Sequence, residues 1–287
     1  MSESKPAGAA DNPARMRDTQ YRDSSKLARR ANIHKYGSAK IGWFDWIAQE
    51  ARLPADAEVL DVGCGPGWMW TAGGFPHGLS LTLTDFSKGM VREAVPRVAG
   101  LGRYRAVEGR VADAAALPFA DQSFDAVLAC HMLYHVPDPG RAIDEMIRVL
   151  RPGGIVAITT NGSDNMSEMY ALAHAAWGGS AIDPGGAGFG IEAAETALKA
   201  RLAEVQVATY LDQLRVTDGE DIVAVLTSYP PGEDAGEAQI ETLQALIAAR
   251  MAEHGGVFPI HKRQGLVRGR KAGQWAAAKA TNYVSSG

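Results

Sequence analysis

The side chains able to do chemistry in this chain fall into three groups: carboxylates that follow apolar runs, a histidine pair, and a stretch rich in methionine and aromatics. The first group begins in Glu-Val-Leu-Asp-Val-Gly-Cys-Gly-Pro-Gly, residues 58–67. Val59, Leu60 and Val62 form an apolar run suited to a buried parallel strand. Gly63, Gly65 and Gly67 let the backbone turn tightly and approach a ligand where a Cβ would clash. Asp61 sets a carboxylate at the strand's carboxyl end, where open α/β sheets bind their ligands. The competing reading is a dinucleotide fingerprint, G-x-G-x-x-G. Here the third glycine comes one residue early, and Trp68 stands where that fingerprint requires Gly. A carboxylate would also repel a pyrophosphate, whereas it suits a cationic amino group, so the loop fits a zwitterionic ligand. The histidines lie in His131-Met-Leu-Tyr-His135, after a mostly apolar strand expected over Phe124–Cys130. Two histidines four apart could bind a metal, but only the generic Asp138 is near and no third ligand completes the set. No metal is therefore expected.

Val59–Gly67 resembles the first motif of the class I S-adenosylmethionine-dependent methyltransferases. Leu81–Met90, Ala112–Phe119, Phe124–Val136 and Arg141–Thr160 resemble that family in the same order and spacing. The resemblance implies a Rossmann-like α/β fold: a seven-stranded, mostly parallel sheet with helices on both faces and an antiparallel last strand. It implies S-adenosylmethionine as cofactor, held by Asp61, Gly63 and Gly65 at the methionine end. Asp85, 24 positions after Asp61 (85 − 61), would accept from ribose hydroxyls. Phe86 and Met90 would border the adenine, and Asp113 with Ala114 would take its amino edge. Cys130 and His131 would run beneath the cofactor, and either His131 or His135 could be a general base or a structural histidine. N-terminal helices that close over the cofactor are also implied, with Tyr21, His34 and Tyr36 as their polar contacts.

The elements that must position these residues follow in order. Residues 1–18 are polar, lack periodicity and read as a disordered tail. Residues 19–52 read as a helical cap, with one helix over Gln20–Ala31 and a second capped by Ser38. Residues 53–160 form the cofactor-binding core, in which Trp68–Ala72 is expected to start a helix and Pro96 to break another. Residues 161–204 depart most from a minimal methyltransferase. Met166, Met169, Tyr170, Ala173 and Trp177 recur at helical spacing and read as a lid lining an apolar acceptor pocket, with Tyr170 also a catalytic candidate. Residues 205–287 complete the sheet, with a seventh strand at Gly265–Arg270. His261, Lys262, Arg263, Arg268, Arg270 and Lys271 could suggest RNA, but alternating charge on an exposed edge strand is the simpler reading.

Composition narrows the function classes. A chain of 287 residues with 46% hydrophobic and 22% charged residues is an ordinary globular enzyme. A net charge of −4 argues against a dedicated nucleic-acid binder. Two cysteines, Cys64 and Cys130, make no disulfide framework and fit a reducing cytoplasm. No signal peptide is expected, and no apolar run is long enough to span a bilayer as a helix. The expectation is a cytoplasmic methyltransferase of a small, apolar natural product. It leans to C-methylation of a prenylated or terpenoid indole alkaloid, by analogy with the teleocidin type. The alternatives are an O- or N-methyltransferase using a histidine base, and a non-catalytic S-adenosylmethionine-binding regulator. A homo-oligomer formed through the N-terminal arm is a further expectation.

Overall fold

Val59 and Leu60 lose all solvent exposure because β1 (Glu58–Val62) is covered on both faces, as an apolar run without alternation requires. The computed structural model describes residues 20–273. The expected tail over 1–18 and the last residues of the chain lie outside them. Beside β1 stand β2 (Ser80–Asp85), β3 (Ala106–Val111), β4 (Phe124–Cys130) and β5 (Leu150–Asn161). With β6 (Ala203–Val216) and β7 (Phe258–Arg270), they make one seven-stranded sheet of order β3-β2-β1-β4-β5-β7-β6. β7 alone is antiparallel to its neighbours β5 and β6. The strand order reverses between β1 and β4, so their carboxyl ends open the crevice where such sheets bind ligands.

The helices are α1 (Ser25–Ala31), α2 (Trp43–Ala51), α3 (Lys88–Ala99), α4 (Pro139–Val149), α5 (Ser167–Trp177), α6 (Pro184–Phe189), α7 (Ile191–Lys199), α8 (Gly219–Leu226) and α9 (Glu237–Glu253). Ile47, Trp70, Leu83, Ala94 and Val98 fill one face of the sheet, and Val127, Ile143, Met146, Ala194 and Leu198 fill the other. A third apolar cluster joins Ile33, Met169, Leu214, Ile222, Leu243, Phe258 and Ile260. It exists because β6 and β7 run on past β5, whose pairing with β7 stops at Asn161 opposite Gln264. Each fully buried aliphatic side chain there contributes roughly 1.5–3 kcal/mol, which holds the protruding β6–β7 pair and the N-terminal segment together. Among the described residues no helix is long and apolar enough to cross a membrane.

Several expectations are corrected. The first helix is shorter than 20–31, beginning only at Ser25. Ser38 caps nothing; its backbone N–H donates to Asp212, and α2 starts after Gly42 with no side-chain cap. Trp68–Thr71 is a single 3-10 turn rather than a helix, cut short by the drop of Ala72 into extended backbone. Pro96 lies inside α3, which runs three residues further while buried Ala94 and Val98 pin it. β7 is about twice the expected length and lies between β5 and β6 over Gln264–Arg270, so Arg268 and Arg270 do not protect an edge. α7, within the residues read as the lid, packs Ile191, Ala194 and Leu198 onto the sheet.

Candidate active site

The glycine loop takes its shape from its composition: Gly63, Gly65 and Gly67 have φ of 71°, 52° and 77°, the left-handed region that disfavours a Cβ. A Cβ on Gly63 would lie 2.7 Å from the Met132 side chain. Asp61 is buried below this loop. Its Oδ2 accepts from Trp70 Nε1 at 2.7 Å, while Oδ1 is buried with no partner. Burial raises the Asp61 carboxyl to about 7, against the Trp70 hydrogen bond. At the end of β2, Asp85 accepts from the Gly65 N–H at 3.0 Å and the Ser87 N–H at 2.8 Å, which fixes both oxygens toward the crevice. Burial raises its pKa as well. Phe86 follows and stays 40% exposed.

Asp113 is exposed and accepts from the Ala115 N–H at 2.9 Å, a local turn; Ala114 beside it packs into the core. Met90 is buried in the first turn of α3, one residue whose side chain is already spent on packing. Cys130 accepts from the Thr159 hydroxyl at 3.1 Å, and burial pushes its thiol up to about 12. It is no nucleophile.

His131 and His135 do not share a helical face. His131 has a left-handed φ of 52°, and a 3-10 turn over Leu133–His135 carries the second histidine. The His131 ring stacks obliquely 5.4 Å from Trp43, and its Nε2 lies 3.1 Å from Gln264 Nε2. His135 Nε2 lies 2.9 Å from the Tyr21 hydroxyl, and the Arg30 guanidinium sits 5.5 Å from the centre of the Tyr21 ring. Burial holds His34, His131 and His135 near 3, helped by Lys262 at the first two and Arg30 at the third. His34 and His135 nevertheless keep exposed surface. The two histidines of the turn, with Tyr21, Trp43 and Gln264 around them, form one cluster at the carboxyl end of β4.

Met166, Met169 and Tyr170 lie in the third cluster, 6%, 0% and 9% exposed, packed with residues of α8, α9 and the antiparallel β6–β7 pair. Trp177 is half-buried at the end of α5, against the same cluster. Sequence reasoning missed Arg30, Trp43 and Gln264, and it placed Lys262 among surface charges. Lys262 is 2% exposed, with Nζ 5.8 Å from the centre of the Trp43 ring and 5.4 Å from that of Tyr210. The signal was available: Phe258, Ile260, Lys262, Gln264 and Leu266 alternate onto one buried face of a strand. Among the described residues no group of three or more His, Cys, Asp or Glu could hold a metal.

Comparison with known proteins agrees with this geometry. Residues 60–158 match a family described as methyltransferase domain. The phosphatidylethanolamine N-methyltransferase of Cereibacter sphaeroides is 35% identical over 149 residues, covering 52% of this chain and 72% of that protein. The chain belongs to the class I S-adenosylmethionine-dependent methyltransferases. Its cofactor is S-adenosylmethionine, and the orphaned Asp61 oxygen, the glycine cradle and Asp85 fit that molecule. Methyltransferase GfsG of Streptomyces halstedii is 41% identical over 114 residues, 39% of this chain. The match covers 40% of that relative, so this chain spans about two fifths of its length. A crystal structure of a putative methyltransferase from Bacillus halodurans superposes with a TM-score of 0.57 at 20% identity, covering 80% of this chain and 99% of that one. That likeness shows the methyltransferase fold.

Proposed function

We propose that this protein transfers the methyl group of S-adenosylmethionine to a small, largely apolar acceptor. The observation that carries the reading is Asp61 Oδ1, a buried carboxylate oxygen without a protein partner beside the glycine loop. An unmet buried acceptor costs free energy until a ligand donor reaches it, and the methionine ammonium is such a donor. When bound, the cofactor supplies an electrophilic methyl group on a sulfonium. The chain's part is positioning: Asp61 and the loop take the amino-acid end, Asp85 the ribose hydroxyls, and Phe86 and Asp113 the adenine. Such alignment contributes on the order of 7–11 kcal/mol to a bimolecular transfer.

The acceptor would bind against Tyr21, His34, Trp43, His131, His135 and Lys262. Aromatic faces at Trp43 and Tyr134 support the narrower reading, C-methylation of a prenylated indole through a transient cation. Arg30 and Lys262 oppose it, since two positive side chains raise the energy of a carbocation beside them. Those cations favour O- or N-methylation, or attack by an anionic carbon, as the second reading. The described part of the N-terminal arm docks on its own chain, through Tyr21 to His135 and Tyr36 to Asp221. That supports closure in cis. A net charge of −4 supports a small molecule over a nucleic acid.

Calorimetry with S-adenosylhomocysteine tests the cofactor half. Asp85→Ala should weaken binding by about 1.5–3 kcal/mol, the worth of a charge-assisted hydrogen bond, and unchanged affinity in a folded variant would remove the ribose assignment. Formation of S-adenosylhomocysteine with any of a panel of acceptors separates an enzyme from a silent cofactor-binding regulator.

A further inference from the structure

We infer that Lys262 is an acceptor-binding residue that holds an oxygen anion. The acceptor is then an acidic hydroxyl compound: a phenol, a hydroxyquinone or the enol of a 1,3-dicarbonyl. The inference deepens the methyltransferase reading and rests on it for the role of the bound molecule, not for the existence of the anion site.

Lys262 lies on the part of β7 that has outrun β5. Its strand neighbour is β6 on one side only, because β5 pairing ends two residues further along, at Gln264. Its side chain shares a face with Gln264, and the Gln264 amide nitrogen reaches 3.1 Å from the His131 ring. Trp43 from α2 joins the two: its ring is 5.4 Å from that of His131 and 5.8 Å from Lys262 Nζ. The ammonium therefore stands next to His131, at the carboxyl end of β4.

The lysine has no compensating charge. Its cross-strand partner is Asp212, but that carboxylate is turned to the backbone N–H groups of Ser38 and Ala39, each at 2.8 Å. Among the described residues Nζ has no ion pair and no hydrogen bond; it meets only the faces of Trp43 and Tyr210. The titratable groups that face it are His34, His131, Asp212 and Tyr210, and both histidines are held neutral. Burial accordingly pulls the ammonium down to about 8, with Asp212 too far to restore it. A buried cation without a counter-charge is costly, and a ligand anion removes that cost.

The surroundings select the kind of anion. Trp43 and Tyr210 pack edge to face against each other, ring centres 5.1 Å apart, and both rings lie beside the ammonium. A compact, strongly hydrated anion loses much on entering such a place, whereas a charge delocalised over a planar conjugated system loses less. The neutral histidines add hydrogen-bonding edges and no competing charge.

The test uses the full chain, 4-nitrophenol as the probe and 4-nitroanisole as its neutral analogue. Binding is followed by the phenolate absorption band, with and without S-adenosylhomocysteine, whose own binding is measured separately by calorimetry. Wild-type protein should bind 4-nitrophenol as the phenolate, with its apparent pKa lowered relative to free probe, and at least tenfold more tightly than 4-nitroanisole. Lys262→Met should lose that tenfold preference and the pKa shift while keeping its affinity for S-adenosylhomocysteine. Lys262→Arg should keep the preference in part. The inference is overturned if the probe binds as the neutral phenol or fails to bind, or if Lys262→Met retains the phenolate. Failure of S-adenosylhomocysteine to bind would instead sink the methyltransferase reading, and the probe titration on cofactor-free protein would stand apart from it.

Discussion

The Tyr21 hydroxyl lies 2.9 Å from Nε2 of His135, 114 positions further along the chain. This contact ties the N-terminal segment to the turn after β4, and the Tyr21 carbonyl also accepts from the Ser87 hydroxyl at 2.6 Å. Both sides of the cofactor crevice are thus latched by one residue.

Tyr21→Phe removes the His135 contact and leaves the Ser87 one. We expect weaker S-adenosylhomocysteine binding, by about 0.5–1.5 kcal/mol for one neutral hydrogen bond, with an unchanged melting temperature. Calorimetry paired with thermal melting decides it: a large loss of melting temperature would make the latch structural instead.

Asp61 is held at about 7 by burial. Its carboxylate form should bind the methionine ammonium, so S-adenosylhomocysteine affinity should fall as pH drops through 7. Trp70→Phe deletes the hydrogen bond that opposes the rise, so the midpoint of this loss should move to higher pH. Affinity measured from pH 5.5 to 8.5 in both proteins checks the direction of the shift; a flat profile in both would refute it.

Asp221 clamps the segment before α2, taking hydrogen bonds from Asn32 and Tyr36 and an ion pair from Lys35 at 2.7 Å. The Lys35 hydrogen bond is the largest cause holding its carboxyl below the usual range. A lowered carboxylate pKa stabilises above the unfolded value, near 4, and that stabilisation is lost as pH falls through the folded one. Protection from hydrogen exchange over 25–36, corrected for the intrinsic rate at each pH, should therefore fall in acid, and Asp221→Asn should show the low protection already at pH 7. The pair is solvent-exposed, so the effect on global stability is small.

Burial lowers Lys262 from 10.5 to about 8, which corresponds to roughly 3 kcal/mol of destabilisation while the ammonium persists. Because the folded pKa is the lower one, the unfolded chain binds more protons between 8 and 10.5, and stability rises with pH across that window. Lys262→Met should be more stable than the wild type at pH 7 in urea unfolding and should lose the rise. Equal or lower stability would mean that the ammonium is already compensated in the empty protein.

The sequence by itself determined the core of the fold. The Val59–Gly67 loop and the Phe124–Cys130 strand were legible because local signals decide them: a buried apolar run, and glycines that take positive φ. The carboxyl-end placement of Asp61 and Asp85 followed from the same strands. Tertiary structure decided what fills the space above them. Met166, Met169 and Tyr170 have a spacing that fits a lid and a core equally, and the long antiparallel β6–β7 pair, with α8 and α9 between its strands in the chain, supplied a core for them. Trp68–Thr71 stayed one 3-10 turn because Trp70 is drawn down to Asp61, a contact no local pattern announces. Lys262 read as one more surface charge until Trp43 of α2 and Tyr210 of β6 proved to cover the face of β7 that carries it. Periodicity gives each strand two faces; only what packs on them determines which of them meets water.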